Sequence, residues 1–339
     1  MTTLIAAMQN SVLVLESSKT GWKARENLKG TNPKSIAFDH RISNTAYCST
    51  FGKGLWKTED SGQTWNSIGK NEISNHNLIS VAVSNNKEHI KFSEVYVGTE
   101  PSALYVSSDG GQSWKIMSEF KNLESSKSWS FPPRPWTHHV RWIEPDVNNA
   151  NYIFVAIEAG ALVKSHDGGR TWIDRTDQGP YDTHTLVTHK KAPKRLYSAA
   201  GDGYFESYDY GESWNRPDEG LGHRYIYGLA VDSTNPQNVI VSASLTALQA
   251  HYIKNAESFV YRRSADGEKW NVVSKGLPEP KGTIITILAS NSFNSGEFFA
   301  INNRGIFISI DFGVSWKVLD IPWPKEYLVQ HPWGLDIGK

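Results

Sequence analysis

The chain has 339 residues, with 35 basic and 35 acidic side chains, 13 Trp, 14 Tyr, 13 Phe and one cysteine. A formal net charge of zero offers no field for nucleic acid or an anionic membrane, and Cys48 alone excludes an intramolecular disulfide or a cysteine-built zinc cluster. The opening Met1-Thr2-Thr3-Leu4-Ile5 lacks a basic start and a long apolar core, and no run reaches the ~20 apolar residues of a membrane span, so the expectation is a soluble cytoplasmic protein.

In chain order, residues 4–8 and 12–16 read as strands. They are followed by Ser17-Ser18-Lys19-Thr20-Gly21-Trp22, a worn copy of a phrase that then recurs. Full copies are Thr58-Glu59-Asp60-Ser61-Gly62-Gln63-Thr64-Trp65 and the segments 107–114, 165–172, 207–214 and 309–316; a copy one residue short spans 264–270. The closing tryptophans lie 43, 49, 58, 42, 56 and 46 residues apart, a recurrence that means a propeller or solenoid. Strand-like runs such as Leu104-Tyr105-Val106 precede each copy, and Trp opens another, as in Trp114-Lys115-Ile116. The phrase therefore reads as a hairpin turn. Its Ser and Asp side chains bond nearby amides, its Gly takes positive φ, and its Trp wedges one repeat against the next.

First strands at 35–38, 79–83, 139–143, 184–188, 227–231 and 285–289 complete six four-stranded repeats. The N-terminal repeat lacks a first strand, and residues 330–337 look like a first strand with nothing after it. The reading is an all-β, seven-bladed β-propeller of four-stranded antiparallel blades forming one domain over 1–339, with both chain ends sharing one blade. The blades span 328–339 with 3–26, then 34–70, 77–119, 137–176, 183–217, 225–275 and 283–320, numbered 1 to 7 below. Sharing a blade removes open sheet edges; six blades with frayed ends is the alternative.

The eight-residue phrase is the Asp-box, or BNR repeat, and the chain resembles Asp-box propellers over nearly its whole length. That resemblance implies that the box is structural and lies away from the ligand. Sialidases of this kind carry a Phe-Arg-Ile-Pro motif and three carboxylate-gripping arginines. Here the nearest segment, Phe131-Pro132-Pro133-Arg134-Pro135, lies mid-chain and does not match. The chain is more similar to bacterial and archaeal BNR propellers described as glycosyl hydrolase-like. It also resembles photosystem assembly-factor propellers and the blades of xyloglucanases.

Insertions at 120–136, 177–182, 216–223, 245–258 and 322–330 fall on the rim opposite the boxes, where loops carry function on a rigid scaffold. On blades 4 to 6 that rim gathers histidines and charges. The catalytic candidates are His139, His184, Glu158 and Asp202. Candidate binding residues are Arg141, His138, Asp182, Arg224, Tyr227, His251, Arg304 and Trp142. Arg141 aligns with Ile36, Val81, Leu186 and Leu229, which are core positions, so it must be paired or face a wet cavity; Glu158 is its nearest partner. It is either a structural ion pair between blades or a ligand clamp. His139, His184 and His251 can hold a divalent metal or be hydrogen-bonded rim histidines. Glu158 and Asp202 can pair as glycosidase carboxylates or be solvated caps.

The leading expectation is a hydrolase or lyase acting on a small-molecule or sugar-like ligand at the axial mouth between blades 4 and 6. The alternatives are a glycosidase-like enzyme with paired carboxylates and a non-enzymatic scaffold whose rim aromatics Trp129, Phe131 and Trp136 anchor a protein partner.

Overall fold

The computed structural model describes residues 2–84, 91–267 and 269–339; Met1 of the opening segment and Glu268 of the short sixth box copy lie outside them. Seven antiparallel sheets follow one another around an axis. The first is closed by both chain ends: Pro332–Gly338 pairs with Thr3–Met8, running from Thr3 opposite Gly338 to Ala7 opposite Gly334. Five sheets have four strands. Blades 4 and 5 have three, and their outer strands shrink to single bridges, Lys164 with Ile173 and Glu206 with Asn215. The four-stranded expectation fails there for local reasons. Pro217 has no N–H to continue a ladder, and Asp174 turns away to accept the Ser125 amide at 2.9 Å.

Apolar clusters fill the seams between blades rather than one central core. Tyr47 and Leu55 meet Val95 and Val97 between blades 2 and 3; Tyr197 and Tyr204 meet Val239 and Val241 between blades 5 and 6. Each box fastens such a seam. In the copy from Ser165, the serine hydroxyl accepts the Gly169 amide at 2.8 Å, and the Asp167 carboxylate takes the Thr171 amide and hydroxyl at 2.9 and 2.6 Å. The other full copies repeat this pattern. The two central residues are both left-handed even where the first is Tyr210 or Phe312, so the turn, not the residue, dictates φ.

The second box glycine meets the preceding blade. A Cβ on Gly111 (φ 91°) would lie 2.6 Å from Ile68, whereas Gly168 (φ 74°) faces open space. Gly111→Ala is therefore expected to lose about 2–3 kcal/mol and Gly168→Ala only about 1 kcal/mol, read as thermal midpoints. Equal losses would remove the packing role. No described helix is long and apolar enough to cross a membrane.

Candidate functional site

A repeated irregularity builds the site. Near the loop-rich mouth, the innermost strands break register around Lys34, Ile79, Arg141, His184 and Tyr227, and Trp333 is skipped in the same way in blade 1. Each is an extra residue in a β-bulge, a device that re-aims one side chain. Trp333, Lys34, Ile79, Arg141 and Tyr227 all line a cavity of about 650 Å³, and His184 lies fully buried behind it. The bulges correct the alignment of Arg141. Its counterparts are Lys34, Ile79, His184 and Tyr227, while Ile143 takes the core slot shared with Ile36, Val81, Leu186 and Leu229.

An ion chain crosses the cavity wall. Arg134 grips Glu100 with hydrogen bonds of 2.9 and 2.6 Å. His139 Nδ1 faces the same carboxylate at 3.3 Å, outside hydrogen-bond geometry, and its Nε2 donates to Glu158 at 2.7 Å. Glu158 also lies 3.7 Å from Arg141 Nε, which has no hydrogen-bond partner, while Arg141 Nη2 donates to the Tyr227 hydroxyl at 2.8 Å. Arg141 is thus paired, as its burial requires, though its hydrogen bond goes to Tyr227. Burial alone would push both carboxyls up. The contacts with His139 and Arg134 instead hold Glu100 at about 2, and His139, His184 and Arg141 hold Glu158 well below the usual carboxylate range. Burial opposes charge on His139, but Glu158 and Glu100 override it and raise the imidazole.

These shifts give a stability window. Glu100 and Glu158 stabilise fully above their unfolded range near 4.5, and that contribution is lost as pH falls toward about 2. His139 stabilises fully below its ordinary 6.5, and its contribution is lost as pH rises through its elevated native value. Thermal midpoints should therefore peak between about pH 5 and 6.5, and Glu100→Gln should flatten the acid limb. An unchanged acid limb in that variant would contradict the assignment.

A second chain fixes proton positions. His331 Nδ1 can only donate to the Pro332 carbonyl, leaving Nε2 to accept from His251 Nδ1 at 2.7 Å. His251 Nε2 then accepts the Tyr225 hydroxyl proton at 2.8 Å. Burial keeps both rings neutral, with His251 down at about 3. His184 Nδ1 donates to the Ile226 carbonyl at 2.7 Å, and its Nε2 faces Tyr225 at 3.3 Å and Asp182 at 3.5 Å. Since the Tyr225 proton is committed to His251, His184 Nε2 must carry its own. Burial opposes this, but Asp182 and Glu158 raise the imidazole. Asp182 in turn accepts the Ala159 amide at 2.7 Å.

Of the residues singled out in sequence, His139, Arg141, Glu158, Asp182, Tyr227 and His251 line the cavity. Others do not. Asp202 is exposed and accepts the Tyr181 and Asp182 amides at 3.3 Å, so it positions the Asp182 loop rather than reaching the cavity. His138, in the loop before the first strand of blade 4, turns to Ser102 at 2.7 Å. Trp142 bonds Glu144 and packs between blades 4 and 5. Arg224 and Arg304 are exposed. Trp129 is buried against Phe120, so of the expected partner anchors only Trp136 stands out in solvent, at 80 % exposure. Lys34, Glu100, Arg134, Tyr225 and His331 were missing from the expected set. Lys34 and Glu100 occupy rim slots equivalent to those of blades 4 and 5, which was the available signal.

The metal candidates do not converge as a trio. Glu158, Asp182 and His184 bring ligand atoms within 4.8 Å of one another, but His139 and His251 are not in that group. His184 Nε2 is protonated there and Arg141 stands beside Glu158, so the donor set fits a cation poorly.

No family model matches the chain. The curated oligoxyloglucan-reducing end-specific xyloglucanase of Emericella nidulans is 24% identical over 162 residues, 44% of this chain and 18% of that protein. The GH74 xyloglucanase from Xanthomonas campestris superposes with a TM-score of 0.67 at 13% identity, over 92% of this chain and 52% of its own. YCF48 bound to D1 peptide superposes at 0.55 and 15% identity, over 86% and 83%. The chain thus spans under a fifth of the curated relative and about half of the xyloglucanase structure. These likenesses establish the propeller fold.

Proposed function

We propose that the protein is an enzyme that cleaves a glycosidic bond in a small sugar-like ligand held in the axial cavity. One observation carries this reading: an ionised carboxylate, Glu158, and a phenol backed by an imidazolium, Tyr225 with His184, face the same cavity. The 650 Å³ volume suits a small ligand, and Phe131, Tyr252 and Trp333 supply aromatic wall. The sugar-cleaving relatives support the substrate class.

In hydrolysis, the glycosidic C–O bond breaks while a water oxygen forms the new one. Glu158 takes the water proton; the Tyr225 hydroxyl leaves its bond to His251 Nε2 and gives its proton to the leaving oxygen, and His184 Nε2 then reprotonates the phenolate. A two-carboxyl mechanism is less well supported. Glu158 is held ionised and Asp182 is engaged by Ala159 and His184, so neither is placed as the proton donor. A panel of aryl glycosides and oligosaccharides tests the reading. Turnover should fall about 10²–10⁴-fold in Tyr225→Phe with the fold intact, and undiminished turnover would overturn it.

A second reading rests on exposed Trp136 and Tyr252 beside the mouth, at 80% and 59% exposure, together with the peptide-bound neighbour. On that reading the rim docks a protein segment.

A further inference from the structure

The cavity has a feature that hydrolysis of a neutral sugar does not use. Around it, Lys34, Arg134 and Arg141 match Glu100, Glu158 and Asp182 one for one, and the imidazoliums of His139 and His184 are in excess. The positive side is also less satisfied. Arg134 is spent on Glu100, but Lys34 has no carboxylate partner among the described residues. Its ammonium lies 4.4 Å from the Trp333 ring centre, and Trp333 is stacked on its other neighbour His331 at 3.9 Å. Arg141 is 5% exposed and keeps Nε without a hydrogen bond. Lys34 and Arg141 are both bulge residues, aimed by the same backbone device into the same space.

Resting on the enzymatic reading above, we propose that the ligand is a singly charged acidic sugar of the hexuronate class, its carboxylate seated between Lys34 and Arg141. A desolvated cation without a counter-charge is costly, and a ligand carboxylate supplies Lys34 with that partner and Arg141 Nε with the acceptor it lacks. Glu158 and Asp182 on the same wall oppose a more highly charged group, which favours a carboxylate over a phosphate dianion. Burial, with Arg141 and Arg134, lowers the Lys34 ammonium to about 8. A bound carboxylate would restore its proton, so binding should take up protons and weaken as pH rises above about 8.

Titration calorimetry of the full chain with galacturonate, galactose, galactose 6-phosphate and galactose 6-sulfate tests this. The expected result is binding of galacturonate at least about tenfold tighter than of galactose. Lys34→Gln should bring galacturonate affinity down to that of galactose in the same variant, and Lys34→Arg should keep the preference. Equal affinity for acid and neutral sugar, or a preference for phosphate or sulfate, overturns the proposal while the cavity remains a sugar site. Binding of none of the four overturns this proposal. Loss of glycoside turnover in Tyr225→Phe would still support the enzymatic reading, so the two failures are distinguishable.

Discussion

Glu158→Gln is expected to lose turnover by about 10²–10⁴-fold and, unusually for an active-site change, to lose about 3–5 kcal/mol of stability as well. The amide keeps the shape of the carboxylate but not its charge. His139 Nε2 at 2.7 Å and Arg141 Nε at 3.7 Å then stand in a buried wall without their shared counter-ion. A second substitution separates the two effects. Adding Arg141→Met removes one uncompensated cation, so the double variant should melt above Glu158→Gln while remaining inactive. If Glu158→Gln melts like the parent and keeps its activity, neither the ion chain nor the proposed base stands.

The other large effect concerns ring closure. Deleting residues 332–339 should abolish cooperative folding, with a loss on the order of 5 kcal/mol or more, comparable to the whole stability of many domains. Leu335 and Ile337 leave a buried seam with Leu4, Ala6 and Phe299, and the freed edge of Thr3–Met8 offers its backbone to other chains. Scanning calorimetry and light scattering should show a broadened transition and aggregation. A sharp transition near the parental midpoint would mean that the terminal clasp contributes little. Where the deletion does broaden the transition, adding the peptide of residues 330–339 in trans should partly restore the parent's behaviour.

The fold was legible because the repeated eight-residue turn is a local device. Its Ser, Asp and Gly satisfy one another within a few residues, so the phrase survives in sequence regardless of what the ring around it does. The shared blade was legible for the same reason, since an orphan strand pattern at each end needs a partner. The thin outer strands of blades 4 and 5 were not, because Trp172 and Trp214 open them as in every other repeat and only the residues beyond Ile173 and Asn215 fail to pair.

At the site, the richly charged rim of blades 4 to 6 pointed to His139, Arg141, Glu158, Asp182, Tyr227 and His251, and all six line the cavity. The misses share a cause. A bulge shifts side-chain alternation by one residue without any mark in the sequence, so Arg141 was aligned with core positions and Lys34 was left off the candidate set. His138 and Trp142 were carried along by proximity to residues whose side chains face the other way. Glu100 and Arg134 come from different loops, and the packing of blade 4 on blade 3 brings them together with His139.

The bulges separate two tasks that most strands must compromise between. Because the extra residue sits outside the ladder, exchanging Lys34, Arg141, Tyr227 or Trp333 leaves the strand register on either side intact, while Tyr227 and Trp333 also pack against the seams and Arg141 against Glu158. Drift at these slots can therefore rewrite the charge and shape of the axial chamber while the scaffold stays constant. A saturation library confined to Lys34, which lies in no seam cluster, would be expected to yield mostly folded rings with altered ligand preference.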